Sequence, residues 1–127
     1  MRIILLIFVV LLLLSACDVS LYICNGWTYY DEGLEAKVIV KKDKFIPCKV
    51  VEYGFDYEHI IAKQFATEMC YIGEGNFDYR QGFGAFYYWI IVLDNDSIIG
   101  PLNYHEYQRK RINVGVDEGL SFSYYEY

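Results

Sequence analysis

Cys17 is the residue of this chain whose position points most directly to chemistry. It follows an unbroken apolar run from Ile3 to Leu14 and is directly preceded by the small residues Ser15 and Ala16. Small side chains let a backbone enter a narrow protease cleft, and a cysteine supplies a sulfur nucleophile that is readily alkylated. The spacing therefore suits a cut between Ala16 and Cys17 with the thiol available for modification.

The segment before Cys17 has the layout of an export signal, in which a positive start precedes an apolar run. Arg2 and the free amino terminus supply the charge, and the 12 residues from Ile3 to Leu14 supply the apolar run. A helix of that length covers about 18 Å, whereas a bilayer has a hydrocarbon core of about 30 Å. The sequence therefore predicts a cleaved signal peptide over residues 1–16 instead of a permanent membrane helix.

Leu14-Ser15-Ala16-Cys17 resembles the lipobox of bacterial membrane lipoproteins in its commonest form. In that family the cysteine thiol receives a diacylglycerol group, a dedicated signal peptidase cuts before the cysteine, and the new amino group is often acylated, for example with palmitate. The resemblance implies this processing at Cys17. Ordinary secretory cleavage after Ala16, with Cys17 left as a plain thiol, is the alternative.

Lipid on Cys17 implies a place at the extracytoplasmic face of a cell membrane, in the periplasm or on the cell surface. Each buried methylene contributes about 0.8 kcal/mol, so one acyl chain binds marginally and two or three bind firmly. Asp18 resembles an inner-membrane retention signal of Gram-negative lipoproteins, although the type of envelope is open. Residues 17–26 are interpreted as the lipidated N-terminus and a short tether, and residues 27–127 as a single domain.

Cys24, Cys48 and Cys70 follow the lipobox. At most one disulfide can form among three thiols; a compartment outside the cytoplasm permits it, and the sequence does not choose among the pairings. Small buried thiols that pack as hydrophobic residues are the alternative. His59 and His105 have no partner at a metal-ligand spacing, so we predict no metal site and no cofactor.

Other chemical motifs are incomplete. Asp94-x-Asp96 begins like a calcium loop, but the glycine falls at position seven and position twelve is His105, which favours a hairpin turn. Gly82-Phe83-Gly84 lacks the lysine and the following helix of a phosphate loop. The sequence also lacks a nucleophile elbow and a zinc-protease motif, so we predict no catalytic residue.

Paired carboxylates could still perform acid-base chemistry. Asp78 and Glu74, near the glycine-rich segment, are the candidates for a hydrolase of cell-wall glycans. Further pairs are Glu52 with Asp56, and Asp117 with Glu118. Such pairs are usually solvated in an acidic protein, so the enzyme hypothesis takes second place.

The composition of the mature chain favours a folded binding domain. Of 127 residues, cleavage before Cys17 leaves 111, with 10 basic residues against 17 acidic ones and a net charge of −7. Nucleic acid and anionic headgroups repel such a chain. It keeps all 14 tyrosines, so it is too aromatic for a disordered spacer. These side chains can fill the core of a small domain, and the alternative is that the surplus beyond the core binds a protein or a sugar.

Hydrophobic periodicity predicts a β-rich α+β domain, built as a mostly antiparallel sheet with one short helix near residues 103–112. Asn103 and Glu106 form a capping box for that helix. Residues 73–84 are expected to be a long mobile loop. The expected strands are residues 26–33, 37–41, 48–55, 59–65, 67–72, 86–93, 98–99 and 120–127.

The strand, turn, strand, Gly-Pro-Leu and helix order of residues 86–111 is similar to small bacterial lipoproteins of unknown function. We therefore expect a lipid-anchored envelope protein with a non-catalytic binding or interaction module, whose partner is an envelope protein or a glycan and not a nucleic acid. A cell-wall glycan hydrolase, and an inhibitor of an attacking lysozyme-like enzyme, are the alternatives.

Overall fold

The computed structural model describes residues 2–3, 19–31, 33, 36–70 and 77–125. The predicted cleavage and lipidation positions, Ala16 and Cys17, lie outside these residues. The elements are β1 (Val19–Cys24), β2 (Trp27–Asp31), β3 (Lys37–Lys41), β4 (Lys44–Ile46), β5 (Val50–Phe55), β6 (His59–Phe65), β7 (Phe86–Val92), β8 (Ser97–Leu102), α1 (Tyr104–Asn113) and β9 (Tyr124–Tyr125).

The strands form two antiparallel sheets. The first contains β1-β2-β3-β4 in chain order, and the second has the order β8-β7-β6-β5-β9. Helix α1 packs on β7 and β8. The predicted fold class is confirmed: the described residues are mostly antiparallel strands with one short helix. Among them, no helix is long and apolar enough to span a membrane.

The first sheet begins earlier than the sequence suggested. The interpretation of residues 17–26 as a tether was wrong over Val19–Cys24, which pair with β2 in the register Val19 to Asp31. The physical reason is that pairing with β2 satisfies the backbone polar groups of β1, while Ile23 enters the core with 6% exposure. A single residue, Asp18, therefore separates Cys17 from the sheet.

Two hydrophobic cores lie on opposite faces of the second sheet. Trp89 and Ile91 of β7 face the first sheet, whereas Ile90 packs with Tyr107 of α1 and Val116. Successive strand residues point to opposite faces, so both faces of β7 are buried. This double burial explains why residues 86–93 read as a charge-free run instead of an alternating one.

The predicted capping box of α1 is confirmed. The Asn103 side chain accepts a hydrogen bond of 2.8 Å from Glu106 N, and Asn103 N donates one of 3.1 Å to Glu106 Oε1. Lys110 and Arg111 lie in the last turn, where positive charge complements the helix dipole.

Two expected strands are corrected. Residues 67–70 form a turn, because Cys70 is bonded back to Cys48 before β5; residues 71–72 lie outside the described residues. Within residues 120–125, the terminal strand comprises Tyr124–Tyr125, because Phe122 packs into the second core instead of continuing a ladder; residues 126–127 lie outside the described residues. The described part of the expected loop, residues 77–84, is irregular.

Antiparallel order brings alternate turns to one end of the molecule. The turns at residues 25–26, 42–43, 56–58 and 93–96 lie together at what we call the turn end. The opposite end, where β1 starts at Val19, is called the N-terminal end. The turn end is the same for both sheets, because Asp96 of the last turn, in the second sheet, contacts Lys41 at the end of β3, in the first sheet.

Candidate functional site

A cleft of about 650 Å³ opens at the turn end. Asn25 from the β1-β2 turn lines it, as do Tyr57, Glu58 and His59 from the β5-β6 hairpin. The rest of its lining comes from the β7-β8 turn, including Asp94, and from Val114 at the end of α1. Four separate segments therefore contribute to one opening.

His59 is the buried polar residue of this cleft. It is 4% exposed, and its Nδ1 has no hydrogen-bond partner. The backbone around it is fixed, because His59 N donates to Asp56 Oδ1 at 2.8 Å and His59 O accepts from Asp56 N at 3.0 Å. A buried polar atom without a partner costs about 1–3 kcal/mol, so the wall of the cleft contains an imidazole that is held in place at an energetic cost.

The cleft is acidic and has an exposed tyrosine at its edge. Glu58 and Asp94 form no ion pair within the part of the chain that the structure describes. Tyr57 is 99% exposed at the tip of its hairpin. Carboxylates beside an imidazole favour a ligand that carries cationic or hydrogen-bond-donating groups. Among the described residues, no group of three His, Cys, Asp or Glu side chains could hold a metal ion.

A smaller apolar cleft of about 460 Å³ adjoins this site through Tyr57. It is lined by Cys24, Ile23 and Phe55. Burial, and secondly the charge of Asp56, raise the pKa of the Cys24 thiol above its ordinary value. Cys24 is free and half-buried, and a thiol with a raised pKa is a poor nucleophile.

The structure shows which of the three possible disulfides forms. Cys48 and Cys70 are bonded with a Cα–Cα distance of 5.6 Å. Lys49 N, next to Cys48, donates to Phe65 O at 3.0 Å, so the bond ties the segment after β6 to the start of β5. It lies at the N-terminal end, away from the cleft.

Asp96 belongs to a hairpin turn, as predicted. Its Oδ1 accepts a hydrogen bond of 3.0 Å from Trp27 Nε1, and its Oδ2 lies 2.6 Å from Lys41 Nζ. These two hydrogen bonds, Lys41 first, lower the pKa of the Asp96 carboxyl. The carboxylate therefore joins the two sheets.

The carboxylates considered for hydrolysis are dispersed. Asp78 is exposed and lies 3.8 Å from Arg80, while Glu74 lies outside the described residues. Glu52 is 3.9 Å from Lys63, and Asp117 accepts from Gly119 N in a turn. Asp78 is therefore solvated, whereas Glu52 and Asp117 have structural partners.

The aromatic surplus is divided between core and surface. Tyr29, Tyr53, Tyr87 and Tyr107 are buried, whereas Tyr22, Tyr57, Tyr104 and Tyr124 are more than 40% exposed. A groove of about 400 Å³ at the N-terminal end is lined by Phe86, Tyr88, Tyr104 and His105, among others. His105 thus lies at the start of α1, far along the fold from His59.

Residues 56–58 fall between the predicted strands 48–55 and 59–65, and the sequence analysis gave them no part in a site. The signal that could have found them is topological, since alternate turns of an antiparallel meander fall at the same end. Applied to the predicted strands, it places residues 56–58 beside the turn at residues 94–97.

The comparisons with known proteins agree with a domain that covers nearly all of the described fold. The chain matches no curated protein and no solved structure. A family model described as "Protein of unknown function (DUF3997)" matches residues 25–126, from the first turn to the last strand, and the chain therefore belongs to the DUF3997 family.

Proposed function

We propose that this chain is a lipid-anchored envelope protein whose domain binds a partner in the turn-end cleft and performs no catalysis. The observation that carries the proposal is His59, a buried imidazole with an unpartnered Nδ1, in an acidic cleft at the opposite end from Val19. Lipidation of Cys17 is supported by the lipobox that ends at this residue.

The direction of the strands supports an anchor at one end of the domain and a binding cleft at the other. Strand β1 contains six residues and runs from the N-terminal end to the turn end, a rise of about 20 Å at about 3.3 Å per residue. A chain held at Cys17 would therefore present the cleft away from the bilayer, where an extracytoplasmic partner can reach it.

The lining of the cleft favours a basic partner. Glu58 and Asp94 supply negative charge, and the mature chain carries a net charge of −7, which steers cations towards it. A lysine or arginine side chain would pair with the carboxylates while its stem packs against Tyr57. We therefore propose that the partner is a basic segment of an envelope protein.

Metabolic labelling with an alkyne palmitate tests the anchor. The wild-type chain should incorporate the label and lose residues 1–16, and Cys17→Ala should do neither. Cys24→Ala is the matched control and should label like the wild type. An unlabelled wild-type chain with an intact Met1 would contradict the anchor.

Site-specific photo-cross-linking in intact cells tests the cleft. A photoreactive residue at Tyr57 should capture one protein, and Glu58→Gln with Asp94→Asn should abolish the adduct. A photoreactive residue at Tyr22, which is also exposed, is the control and should not give that adduct. Capture of a glycan would replace the proposed partner class, and absence of any adduct specific to Tyr57 would contradict the binding function.

A further inference from the structure

Exposed apolar side chains gather at the N-terminal end of the domain. Met69, Phe83, Phe86 and Tyr104 have relative exposures of 56%, 53%, 42% and 53%. Phe86 pairs with Phe65, the last residue of β6, and Tyr104 begins α1 directly after β8. All four therefore lie where strands of the second sheet start or end on the side of Val19.

These side chains form a rim instead of a buried core. Phe86 contacts Phe65 with ring centroids 5.3 Å apart, and Lys63 Nζ lies 4.3 Å from the Phe86 centroid. Tyr104 contacts Tyr88 at 5.3 Å. Each ring is held from one side by the domain and presents the rest of its surface outwards. Rings with an apolar body and a polar edge or neighbour favour the headgroup region of a bilayer.

The position of Cys17 brings this rim to the membrane. Only Asp18 stands between Cys17 and Val19, where β1 begins, and two residue steps of extended chain span at most about 7 Å. Lipid on the Cys17 thiol enters the bilayer directly, so the N-terminal end of the domain is held within that distance of the headgroups.

We propose that Phe83, Phe86, Tyr104 and Met69 insert into the headgroup layer, so that the domain rests on the bilayer with the cleft facing away. This inference depends on the proposed lipid anchor. The contact is apolar and aromatic, because the net charge of −7 opposes attraction to anionic lipids. Binding through the rim should therefore occur on a zwitterionic bilayer and be insensitive to salt.

Tryptophan quenching by brominated lipids tests the contact. The native Trp27 and Trp89 are 0% and 1% exposed and give a constant background. The lipidated chain, with its complete folded domain, is reconstituted into phosphatidylcholine vesicles that contain lipids with brominated acyl chains. Phe83→Trp should lose at least half of its added fluorescence, and Tyr57→Trp at the turn end should lose none.

A second pair of variants uses the two ends of one helix. Tyr104→Trp should be quenched and Ile112→Trp should not, although both positions are exposed. Equal quenching within each pair, or no quenching at Phe83 and Tyr104, would overturn the inference. Flotation of the same vesicles separates the two proposals: a chain that floats without quenching contradicts only this contact, and a chain that fails to float contradicts the anchor as well.

Discussion

Trp27 and Asp96, which are 69 residues apart in the chain, share a hydrogen bond of 3.0 Å between the indole Nε1 and the carboxylate Oδ1. The other oxygen of Asp96 lies 2.6 Å from Lys41 Nζ. Trp27 and Lys41 belong to the first sheet and Asp96 to a turn of the second, so one carboxylate joins the two sheets at the turn end. It thereby holds in place the turn that contributes Asp94 to the cleft.

Replacing Asp96 by alanine should destabilise the domain. The change leaves the indole N–H of the buried Trp27 and the ammonium of Lys41 without their acceptor, which costs about 1–3 kcal/mol. Chemical denaturation monitored by tryptophan fluorescence measures the free energy of unfolding. Asp94→Ala, in the same turn but without an ion pair among the described residues, should change it by less than about 0.5 kcal/mol. Equal effects of the two changes would show that Asp96 does not join the sheets.

The contribution of Asp96 should disappear in acid. The pKa of its carboxyl is lower in the folded chain than its ordinary value of 3.8, because Lys41 and Trp27 donate to the charged form. The unfolded chain therefore takes up the proton first, and the stabilisation, complete above 3.8, is lost as pH falls through the folded pKa. The difference in unfolding free energy between wild type and Asp96→Asn should shrink over that range. A difference that is constant with pH would contradict the ion pair with Lys41.

The cap of α1 should contribute measurably to the free energy of unfolding. Asn103→Ala removes the acceptor of Glu106 N and should lower the free energy of unfolding by about 1 kcal/mol. Asn113→Ala, at the exposed end of the same helix, is the control for an asparagine outside the cap. If both changes have the same effect, the capping box is not formed in solution.

Gln64 should resist replacement by an apolar residue of similar size. It is fully buried, accepts from Trp89 Nε1 at 2.8 Å and donates to Cys48 O at 3.0 Å. Gln64→Met removes these two hydrogen bonds and a third, which Gln64 Nε2 donates to Tyr79 Oη at 2.9 Å, and each buried group left without its partner costs about 1–3 kcal/mol. Thermal unfolding should show a lower Tm than for Thr67→Val nearby, which makes no buried contact of this kind. An unchanged Tm would show that the hydrogen bonds of Gln64 do not stabilise the domain.

The disulfide should stabilise the domain without affecting the cleft. Cys48 and Cys70 close a loop with a sequence separation of 22, which corresponds to about 3 kcal/mol in the chain-entropy account. Cys48→Ala with Cys70→Ala should therefore lower the Tm, whereas Cys24→Ala should not remove the bond. Mass spectrometry after alkylation without reductant should find one modified thiol among these three cysteines, at Cys24. Alkylation of all three would contradict the pairing.

Local patterns were sufficient where one segment decides the outcome. The capping residues Asn103 and Glu106 lie three positions apart, so their hydrogen bonds follow from the helix itself. The apolar, charge-free run of residues 86–93 likewise predicted a strand. Cys48 and Cys70 could not be paired from sequence, because the choice depends on where β5 and β6 place the two residues.

The sequence by itself determined the β-rich class and the one helix with its cap, because each of these follows from neighbouring residues. The resemblance of residues 14–17 to a lipobox predicts an anchor at Cys17 on the same local basis. Only the tertiary structure decided that Val19–Cys24 is a strand, that Asp96 joins two sheets, and that His59 is buried beside an open acidic cleft. These features depend on contacts between residues distant in the chain, and such contacts exist only once both sheets have packed.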